Sequence, residues 1–195
     1  MNRISILVFH PLLHKSRVNQ KLVRAVEGME GVSLRFMYDI YPDFFIDVLK
    51  EQEVLLENDI LVWQHPFYWY SSPSLLKEWI DLVLEHGFAY GRTGRALEGK
   101  QILSAISTGG RRETYLSAES GKFSVRQLMA PFEQTTKLCR MHYLPPFVTH
   151  GTHLLDERGI EEAAGRYATV IGALRDGLYS LEEIRKYEYI NDLIL

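Results

Sequence analysis

The stretch Leu61-Val-Trp-Gln-His-Pro-Phe-Tyr-Trp-Tyr-Ser-Ser-Pro-Ser-Leu-Leu-Lys-Glu-Trp-Ile80 joins an apolar run, an aromatic loop and a second apolar run. The first run predicts a buried strand over residues 60–64. The second predicts a helix with Pro73 in its first turn and with these residues on its buried side: Leu75, Leu76, Trp79, Ile80 and Val83. The loop, which consists of Pro66, Phe67, Tyr68, Trp69 and Tyr70, then lies at the carboxyl end of the strand, where open α/β sheets bind ligands. Aromatic side chains are costly to leave in water, so we expect them to contact a planar cofactor, a partner subunit or the protein's own core.

The same order of strand, loop and helix is predicted on both sides of this stretch. Residues 4–9 predict a buried strand that ends at His10-Pro11, and Ser16 is a candidate N-cap for a helix that ends near residue 27. Residues 100–107 predict another strand, which is followed by Thr108, Gly109 and Gly110. Further strands are predicted over residues 31–38 and 143–150, and further helices over residues 48–56, 124–141 and 156–174.

Five strands that alternate with helices predict an α/β fold, a doubly wound five-stranded parallel sheet in a single domain over residues 1–178. Residues 179–195 carry apolar side chains at helical spacing, which predicts a short C-terminal helix or an arm onto a partner. The loops after the first, third and fourth strands should meet at one edge of the sheet, around its switch point. We therefore expect one ligand site at this edge.

The residue types at this edge suit a planar, phosphorylated cofactor better than a nucleophile. The helix after the first strand presents free N–H groups to a phosphate. The pair Gly109-Gly110 lets backbone N–H groups approach a ligand without obstruction by Cβ atoms, although an ordinary turn explains the pair equally well.

The composition excludes several classes of protein. The chain has 195 residues, with 22 Lys and Arg against 25 Asp and Glu, so it has no broad basic surface for nucleic acid. Its one cysteine, Cys139, cannot form an intramolecular disulfide and favours a reducing compartment, the cytoplasm. The amino terminus does not resemble a signal peptide, and no window approaches the roughly 18 apolar residues of a membrane span. A membrane role is therefore expected only through a partner.

Several well-known motifs are absent from the chain. The phosphate-loop pattern G-x-x-x-x-G-K-[ST], the dinucleotide fingerprint G-x-G-x-x-G and the hydrolase elbow G-x-S-x-G do not occur in the expected places. There is no H-E-x-x-H motif or cysteine pair, so no metal site is predicted. Single histidines such as His65, His86 and His142 are expected to be packed or solvated.

Several segments resemble the flavodoxin-like NAD(P)H:quinone oxidoreductases. They are His10-Pro11, Ser16-Arg-Val-Asn19, the aromatic stretch from Trp63 to Trp79, Leu97-Glu-Gly-Lys100 and Ser107-Thr-Gly-Gly110. Within that family, Tyr41-Pro-Asp-Phe-Phe-Ile-Asp47 and Cys139-Arg-Met-His-Tyr-Leu-Pro-Pro146 are similar to the ancillary subunits of glutathione-regulated potassium efflux systems. The likeness covers residues 4–150 and leaves out the tail.

The resemblance implies a flavodoxin-like fold, a homodimer, and two-electron reduction of quinones by NAD(P)H through FMN, with FAD the less favoured flavin. It also implies an alternative function, a cytoplasmic regulatory subunit that docks on a potassium/proton antiporter at the inner membrane. A third reading is an interaction domain without flavin, whose aromatic loop packs the dimer. No nucleic-acid partner is implied.

The resemblance also assigns site residues. The residues that match the segment around the flavin phosphate are His10, Ser16, Arg17, Val18 and Asn19. The loop from Pro66 to Tyr70, namely Pro66, Phe67, Tyr68, Trp69 and Tyr70, matches the one along the flavin ring, and Ser107, Thr108, Gly109 and Gly110 match the loop at its pyrimidine end. Tyr115 matches a tyrosine that hydrogen-bonds the reduced ring, so the resemblance assigns the catalytic role to Tyr115, Gly109 and Gly110.

Two departures from the family pattern stand out. Larger quinone reductases carry a histidine a few residues after the tyrosine, but residues 116–121 contain none, which places a Tyr–His proton relay in doubt. Arg111-Arg112-Glu113 replaces a run of small residues. These arginines are expected to be solvated, with contact to a nicotinamide phosphate as the alternative.

Overall fold

A computed structural model describes residues 1–116 and 123–193. The sheet is parallel and contains β1 (Ile4–Val8), β2 (Val32–Phe36), β3 (Ile60–Pro66) and β4 (Gln101–Ser107), followed by β5 (His142–Tyr143) and β6 (Phe147–Thr149). The strand order is β2-β1-β3-β4-β5, and β6 also pairs with β4. This is the predicted flavodoxin-like doubly wound sheet, in a single domain.

Helices cover both faces of the sheet. On one face lie α1 (Arg17–Val26) and α8 (Glu157–Asp176); on the other lie α3 (Val48–Glu57), α4 (Ser74–Val83) and α7 (Ala130–Leu138). Shorter helices are α2 (Met37–Ile40), α5 (Arg112–Leu116), α6 (Val125–Leu128) and α9 (Leu181–Ile184). Because both faces are covered, β1 and β3 are buried along their whole length.

Side-chain caps place several helices where the sequence predicts them. Ser16 accepts from Asn19 N at the start of α1, Asp47 accepts from Lys50 N at α3, and Asp156 accepts from Gly159 N at α8. The buried residues of α4 are those predicted: Leu75, Leu76, Trp79, Ile80 and Val83.

Five predicted boundaries are wrong. The third strand, predicted over residues 60–64, continues to Pro66, so the aromatic loop begins at Phe67. The second strand stops at Phe36, since Met37 and Tyr38 begin α2. Pro73 is the N-cap of α4 instead of a first-turn residue. The predicted helix over residues 124–141 is two helices, α6 and α7, because Met129 separates them and Pro131 lies in the first turn of α7. The last strand is split into β5 and β6 by Pro145 and Pro146, which have no N–H to donate.

The C-terminal tail packs onto its own chain. It contains the short helix α9 and a 3-10 turn (Ile190–Leu193), and Ile184, Tyr189 and Ile190 are buried in the core. Asn191 pairs with the edge strand: Val148 N donates to Asn191 Oδ1 (2.8 Å), and Asn191 Nδ2 donates to Val148 O (3.1 Å). The tail is thus a cover for the β6 edge. Its last two residues, 194–195, lie outside the described part of the chain.

A buried carboxylate anchors α3 to the neighbouring elements. Glu51 is fully buried, and its Oε1 accepts from Tyr41 Oη (2.7 Å) and pairs with the guanidinium of Arg35. Its Oε2 accepts from Trp79 Nε1 at 2.9 Å. Burial, followed by the hydrogen bond to Glu51, raises the pKa of the Tyr41 hydroxyl above its usual range. The connection over residues 41–47 is therefore fixed to β2 and α4 through one acid.

In residues 1–116 and 123–193, no helix combines the length and the apolar character required to cross a membrane.

Candidate functional site

An open cavity of about 520 Å³, here called the main cavity, lies at the carboxyl edge of the sheet. It is bordered by the loops that follow β1, β3, β4 and β6. Its position coincides with the switch point, because β1 and β3 are neighbours while β2 lies on the opposite side of β1. The predicted residues that line it are His10, Ser16, Arg17, Val18, Asn19, Pro66, Phe67, Tyr68, Ser107 and Gly109.

The amino terminus of α1 faces this cavity. Ser16 Oγ accepts a hydrogen bond from Asn19 N (3.2 Å). The N–H groups of the first two helical residues, Arg17 and Val18, have no intrahelical acceptor, as at the start of any α-helix. Lys15 and Arg17 add positive charge, although Arg17 also forms an exposed ion pair with Glu157 (3.3 Å). The helix end and the two cations together favour a bound phosphate.

A buried polar network joins the α1 loop to the sheet. Asn19 Nδ2 donates to Ser16 Oγ (3.1 Å) and to Ser107 Oγ (2.8 Å), while Gln64 Nε2 donates to Asn19 O (3.3 Å). Tyr167 Oη on α8 donates to Gln64 Oε1 at 3.1 Å. Asn19 was predicted as a phosphate-site residue; its side chain borders the cavity, but its amide is bonded within the protein. It therefore positions the loops on either side of the site.

His10 lines the cavity, and one tautomer of its ring is favoured. Leu12 N donates to His10 Nδ1 (3.1 Å), so Nδ1 carries the lone pair and Nε2 carries the proton in the neutral ring. Burial lowers the pKa of His10, which favours this neutral form. The neutral side chain thus keeps one N–H donor, at Nε2, in the lining of the cavity.

The aromatic loop contains a strained turn. Trp69 and Tyr70 have φ of 49° and 63°, and Ser71 N donates to Tyr68 O at 2.9 Å, which is the pattern of a type I′ turn. Such φ values are rare for bulky residues and cost about 1–2 kcal/mol each. The turn leaves Trp69 92% exposed, so Trp69 does not lie in the core. Strain at an exposed aromatic turn is typical of ligand-binding loops.

The other aromatic residues of the loop contact the site. Phe67 lies edge-on to Tyr115, with ring centroids 6.1 Å apart, and Phe67 N donates to Ser107 O (2.8 Å). Tyr68 lies against the ring of His10 at 6.5 Å. The structure thus brings the loops after β1, β3 and β4 into contact through aromatic rings.

The two glycines after β4 are required for space. A Cβ at Gly110 would lie 2.6 Å from Cε2 of Tyr115, and one at Gly109 would lie 2.9 Å from Cδ2 of His153. Tyr115 Oη is hydrogen-bonded to Thr108 Oγ1 at 3.0 Å. The glycine pair was predicted to let a ligand approach the backbone. In the structure the two glycines also make room for side chains of the protein itself, Tyr115 and His153.

Some predicted residues do not line the main cavity. They are Trp69, Tyr70, Thr108, Gly110 and Tyr115, although Thr108 and Tyr115 lie directly behind its wall. Sequence reasoning missed four lining residues: Leu12, Lys15, Thr152 and His153. The signal for the last two was available, since Gly151-Thr-His153 follows the fifth predicted strand and the carboxyl end of that strand lies at the same edge.

The structure changes the interpretation of both departures. Residues 117–122, most of the segment without a histidine, lie outside the described part of the chain. A different histidine, His150, lies beside Tyr115 with ring centroids 5.8 Å apart. Arg112 is not simply solvated, because it pairs with Asp192 of the tail (Nη1 to Oδ1, 2.9 Å) and lies 5.2 Å from the ring centre of Tyr189.

We predict an acid-sensitive stability from His65 in β3. It is fully buried against the ring of Phe132, and its Nε2 has no partner within the described residues. Burial lowers the pKa of His65 to about 4, against about 6.5 in an unfolded chain. Between these values the unfolded chain binds a proton that the folded chain does not, so the free energy of unfolding should fall by roughly 3 kcal/mol as the pH falls from 6.5 to 4.

Urea unfolding at pH 7, 5.5 and 4.5 checks this prediction. His65→Gln should reduce the pH dependence of the free energy of unfolding. His86→Gln, which replaces an exposed histidine, should not change it. A second contribution will remain in both variants, because burial also lowers the pKa of His150 to about 4. Equal pH dependence in wild type and His65→Gln would contradict the assignment to His65.

The sheet order, the α1 terminus at the switch point and the aromatic wall define a flavodoxin-like α/β protein with a site suited to a planar, phosphorylated ligand. The sequence model of a protein family with the flavodoxin-like fold matches residues 2–171, so the chain belongs to that family.

Solved structures with sequence similarity extend this finding. A chain in the crystal structure of a thermophilic tryptophan halogenase from Streptomycin violaceusniger is 40% identical, with a TM-score of 0.81, and the match covers 84% of this chain and 95% of that one. General stress protein 14 of Treponema denticola, solved with FMN, is 36% identical (TM-score 0.80; 91% and 99% covered). An NADPH-quinone reductase from P. pentosaceus is 32% identical (TM-score 0.77; 86% and 96% covered). These relatives support a flavodoxin-like oxidoreductase.

Proposed function

We propose that the protein is an FMN-dependent NAD(P)H oxidoreductase that transfers two electrons to quinones or related electrophiles. The observation that carries the proposal is the main cavity, in which a helix amino terminus, an aromatic loop and Gly109 of the loop after β4 meet. The relative from Treponema denticola, solved with FMN, supports the choice of cofactor. The relative from P. pentosaceus, named an NADPH-quinone reductase, supports the choice of reaction.

The residues present fit FMN. The unpaired N–H groups of Arg17 and Val18, with Lys15, suit the phosphate. The walls formed by Phe67 and Tyr68 suit a flat ring, and the missing Cβ of Gly109 leaves room beside His153. A volume of about 520 Å³ is within the range of cofactor sites.

The chain's own groups then have distinct tasks. The α1 terminus and His10 hold the phosphate end, and the network through Asn19 fixes their distance from Ser107. Tyr115 lies behind the cavity wall beside Phe67, with its hydroxyl bonded to Thr108; a phenol that turned from Thr108 towards a reduced ring would stabilise negative charge there. A bound flavin would accept hydride from NAD(P)H and pass the two electrons to the acceptor.

An absorption spectrum of the purified protein, followed by mass identification of whatever heat releases, tests the proposal. A yellow protein that releases FMN, and then oxidises NADH or NADPH when a quinone is added, is the expected result. A colourless protein that takes up neither FMN nor FAD would overturn it and favour the interaction domain without flavin.

We predict that Trp69→Gly weakens flavin binding without weakening the fold. Glycine removes the indole and also the φ strain at this position. Trp69 is exposed in the loop that borders the cavity, and a stacking contact with a bound ring is worth about 0.5–1.5 kcal/mol, so a flavin fluorescence titration should show up to about tenfold weaker binding. Urea unfolding of the flavin-free protein should show an unchanged or slightly higher stability. Unchanged flavin affinity would mean that Trp69 does not contact the ring.

As a second candidate function, we propose a regulatory subunit that docks on a potassium/proton antiporter. Its support is the exposure of two apolar side chains: Phe45 (84%), in the connection over residues 41–47 that resembles the ancillary subunits, and Trp69 (92%), in the aromatic loop. Rescue of potassium efflux by the intact protein, compared with Gly110→Val, distinguishes the two candidates, since a purely docking role would survive loss of flavin. The homodimer and the cytoplasmic location stay predictions.

A further inference from the structure

A second cavity, here called the tail cavity, lies at the β6 edge of the sheet, between α8 and the C-terminal tail. Its volume is about 580 Å³, within the range of sites for small molecules. The described lining residues that matter are Arg112, Thr149, Leu155, Ala163, Arg166 and Asp192. The tail cavity and the main cavity have no described lining residue in common, so a ligand here leaves the α1 terminus free.

The described lining of the tail cavity carries one uncompensated positive charge. Arg112 and Asp192 neutralise each other, because Arg112 Nη1 donates to Asp192 Oδ1 at 2.9 Å. Arg166 is exposed and forms no ion pair within residues 1–116 and 123–193. A single net positive charge favours a ligand with one negative charge over a doubly charged phosphate.

A buried hydroxyl group lies in the wall of the same cavity. Thr149 is 4% exposed, and its Oγ1 has no hydrogen-bond partner within the described residues. Because side chains alternate along a strand, Thr149 lies on the same face of β6 as Phe147, whose ring packs against Tyr167 of α8 at 5.0 Å. The Thr149 side chain is therefore on the α8 side, where the tail cavity lies. Buried hydroxyl groups normally have a partner, and an oxygen atom of a ligand would supply it.

The rest of the lining includes apolar and aromatic surface. Leu155 and Ala163 lie on the α8 side, and the ring of Tyr189 lies on the tail side. The Tyr189 ring is held in place, since Arg112 lies 5.2 Å from its centre and His150 lies edge-on to it at 5.6 Å. Such a fixed wall reduces the entropy lost on binding and suits a hydrocarbon or aromatic group.

We propose that the tail cavity binds a small organic monocarboxylate. The carboxylate lies at Arg166, whose planar guanidinium can donate two parallel hydrogen bonds, and it accepts a third from the Thr149 hydroxyl. The apolar part of the ligand contacts Leu155, Ala163 and Tyr189. The inference does not rest on the proposed function, because the site is separate from the main cavity and needs no flavin.

Benzoate is the probe, and benzamide, which has the same shape without the charge, is the control ligand. Amide correlation NMR spectra of isotope-labelled protein measure both dissociation constants. The side-chain amide of Asn191 and the backbone amide of Gly159 report on the tail cavity, because both residues line it. Benzoate should shift these two signals to saturation, and benzamide should bind about tenfold more weakly, the usual effect of losing a hydrogen bond to a charged group.

Two variants test the residues assigned to the carboxylate. Arg166→Gln should weaken benzoate binding about tenfold. The matched control is Arg158→Gln, which removes the same charge from the same helix, at a residue that pairs with Glu162 (2.9 Å) outside the cavity lining. Thr149→Val should also weaken benzoate binding about tenfold, with an unchanged or higher free energy of unfolding, because the lost hydroxyl has no partner in the described part of the protein.

The proposal is overturned if benzoate and benzamide bind equally well, or if benzoate leaves the Asn191 and Gly159 signals unshifted. Equal benzoate affinity in Arg166→Gln and Arg158→Gln would also overturn it. Inorganic phosphate is the last probe: phosphate that shifts the same signals and binds more tightly than benzoate would contradict a monocarboxylate site.

Discussion

Gly110→Val is expected to weaken flavin binding roughly 10- to 100-fold, which corresponds to the usual cost of overpacking a filled site. The added side chain would occupy the space of the Tyr115 ring, since even a Cβ would lie 2.8 Å from Tyr115 Oη. The ring cannot move away freely because its hydroxyl is bonded to Thr108 and its edge packs against Phe67. The phenol and the loop after β4 would therefore be displaced together. Equilibrium titration of the flavin-free protein with FMN measures the loss.

Gly165→Val is the matched control for this substitution. Gly165 lies on an exposed part of α8, and a Cβ there meets no atom within 4 Å. The control should retain flavin like the wild type, and far-ultraviolet circular dichroism should show that both variants are folded. Full retention of FMN by Gly110→Val would contradict the assignment of the glycine loop to the cofactor site.

Glu51→Leu is expected to lower the free energy of unfolding by about 3–5 kcal/mol, a large part of the total stability of a domain. The substitution removes the acceptor for the guanidinium of Arg35, the hydroxyl of Tyr41 and the indole N–H of Trp79. All three donors would then be left without that acceptor in a low-dielectric surrounding. The midpoint of urea unfolding should fall, while the slope of the transition should stay the same.

Glu53→Leu, two residues further along α3, is the control, because Glu53 is exposed. Its free energy of unfolding should differ from the wild-type value by less than about 0.5 kcal/mol. If the two variants have equal stability, the buried acid is dispensable, and α3 must be held by its apolar contacts alone.

Local patterns predicted much of the fold because their causes are local. The predicted cap at Ser16 involves residues three positions apart, and the buried face of α4 follows from helical spacing. The meeting of the loops after β1, β3 and β4 required only the strand order that helix crossovers impose. The site region was therefore predictable from the sequence.

Contacts between distant segments were not predictable in this way. The neighbour of Tyr115 is His150, and the partner of Arg112 is Asp192, 80 residues further along the chain. The left-handed backbone at Trp69 and Tyr70 contradicts the preferences of those residues, so no local rule indicates it. The tail cavity depends on how β6, α8 and the C-terminal tail pack together, which composition and periodicity do not report.

The pairing of Asn191 with Val148 has a consequence for how the protein behaves in a crowded solution. An open β-sheet edge is a template on which other chains can add strands. Here the side-chain amide of Asn191 is hydrogen-bonded to both the N–H and the C=O of Val148, and Ile190 N donates to Pro146 O (3.1 Å). The β6 edge therefore has few free backbone groups to which another chain could bond. Residues 190–191 thus protect this edge from pairing with other chains, and a variant truncated before them would expose the backbone groups of β6.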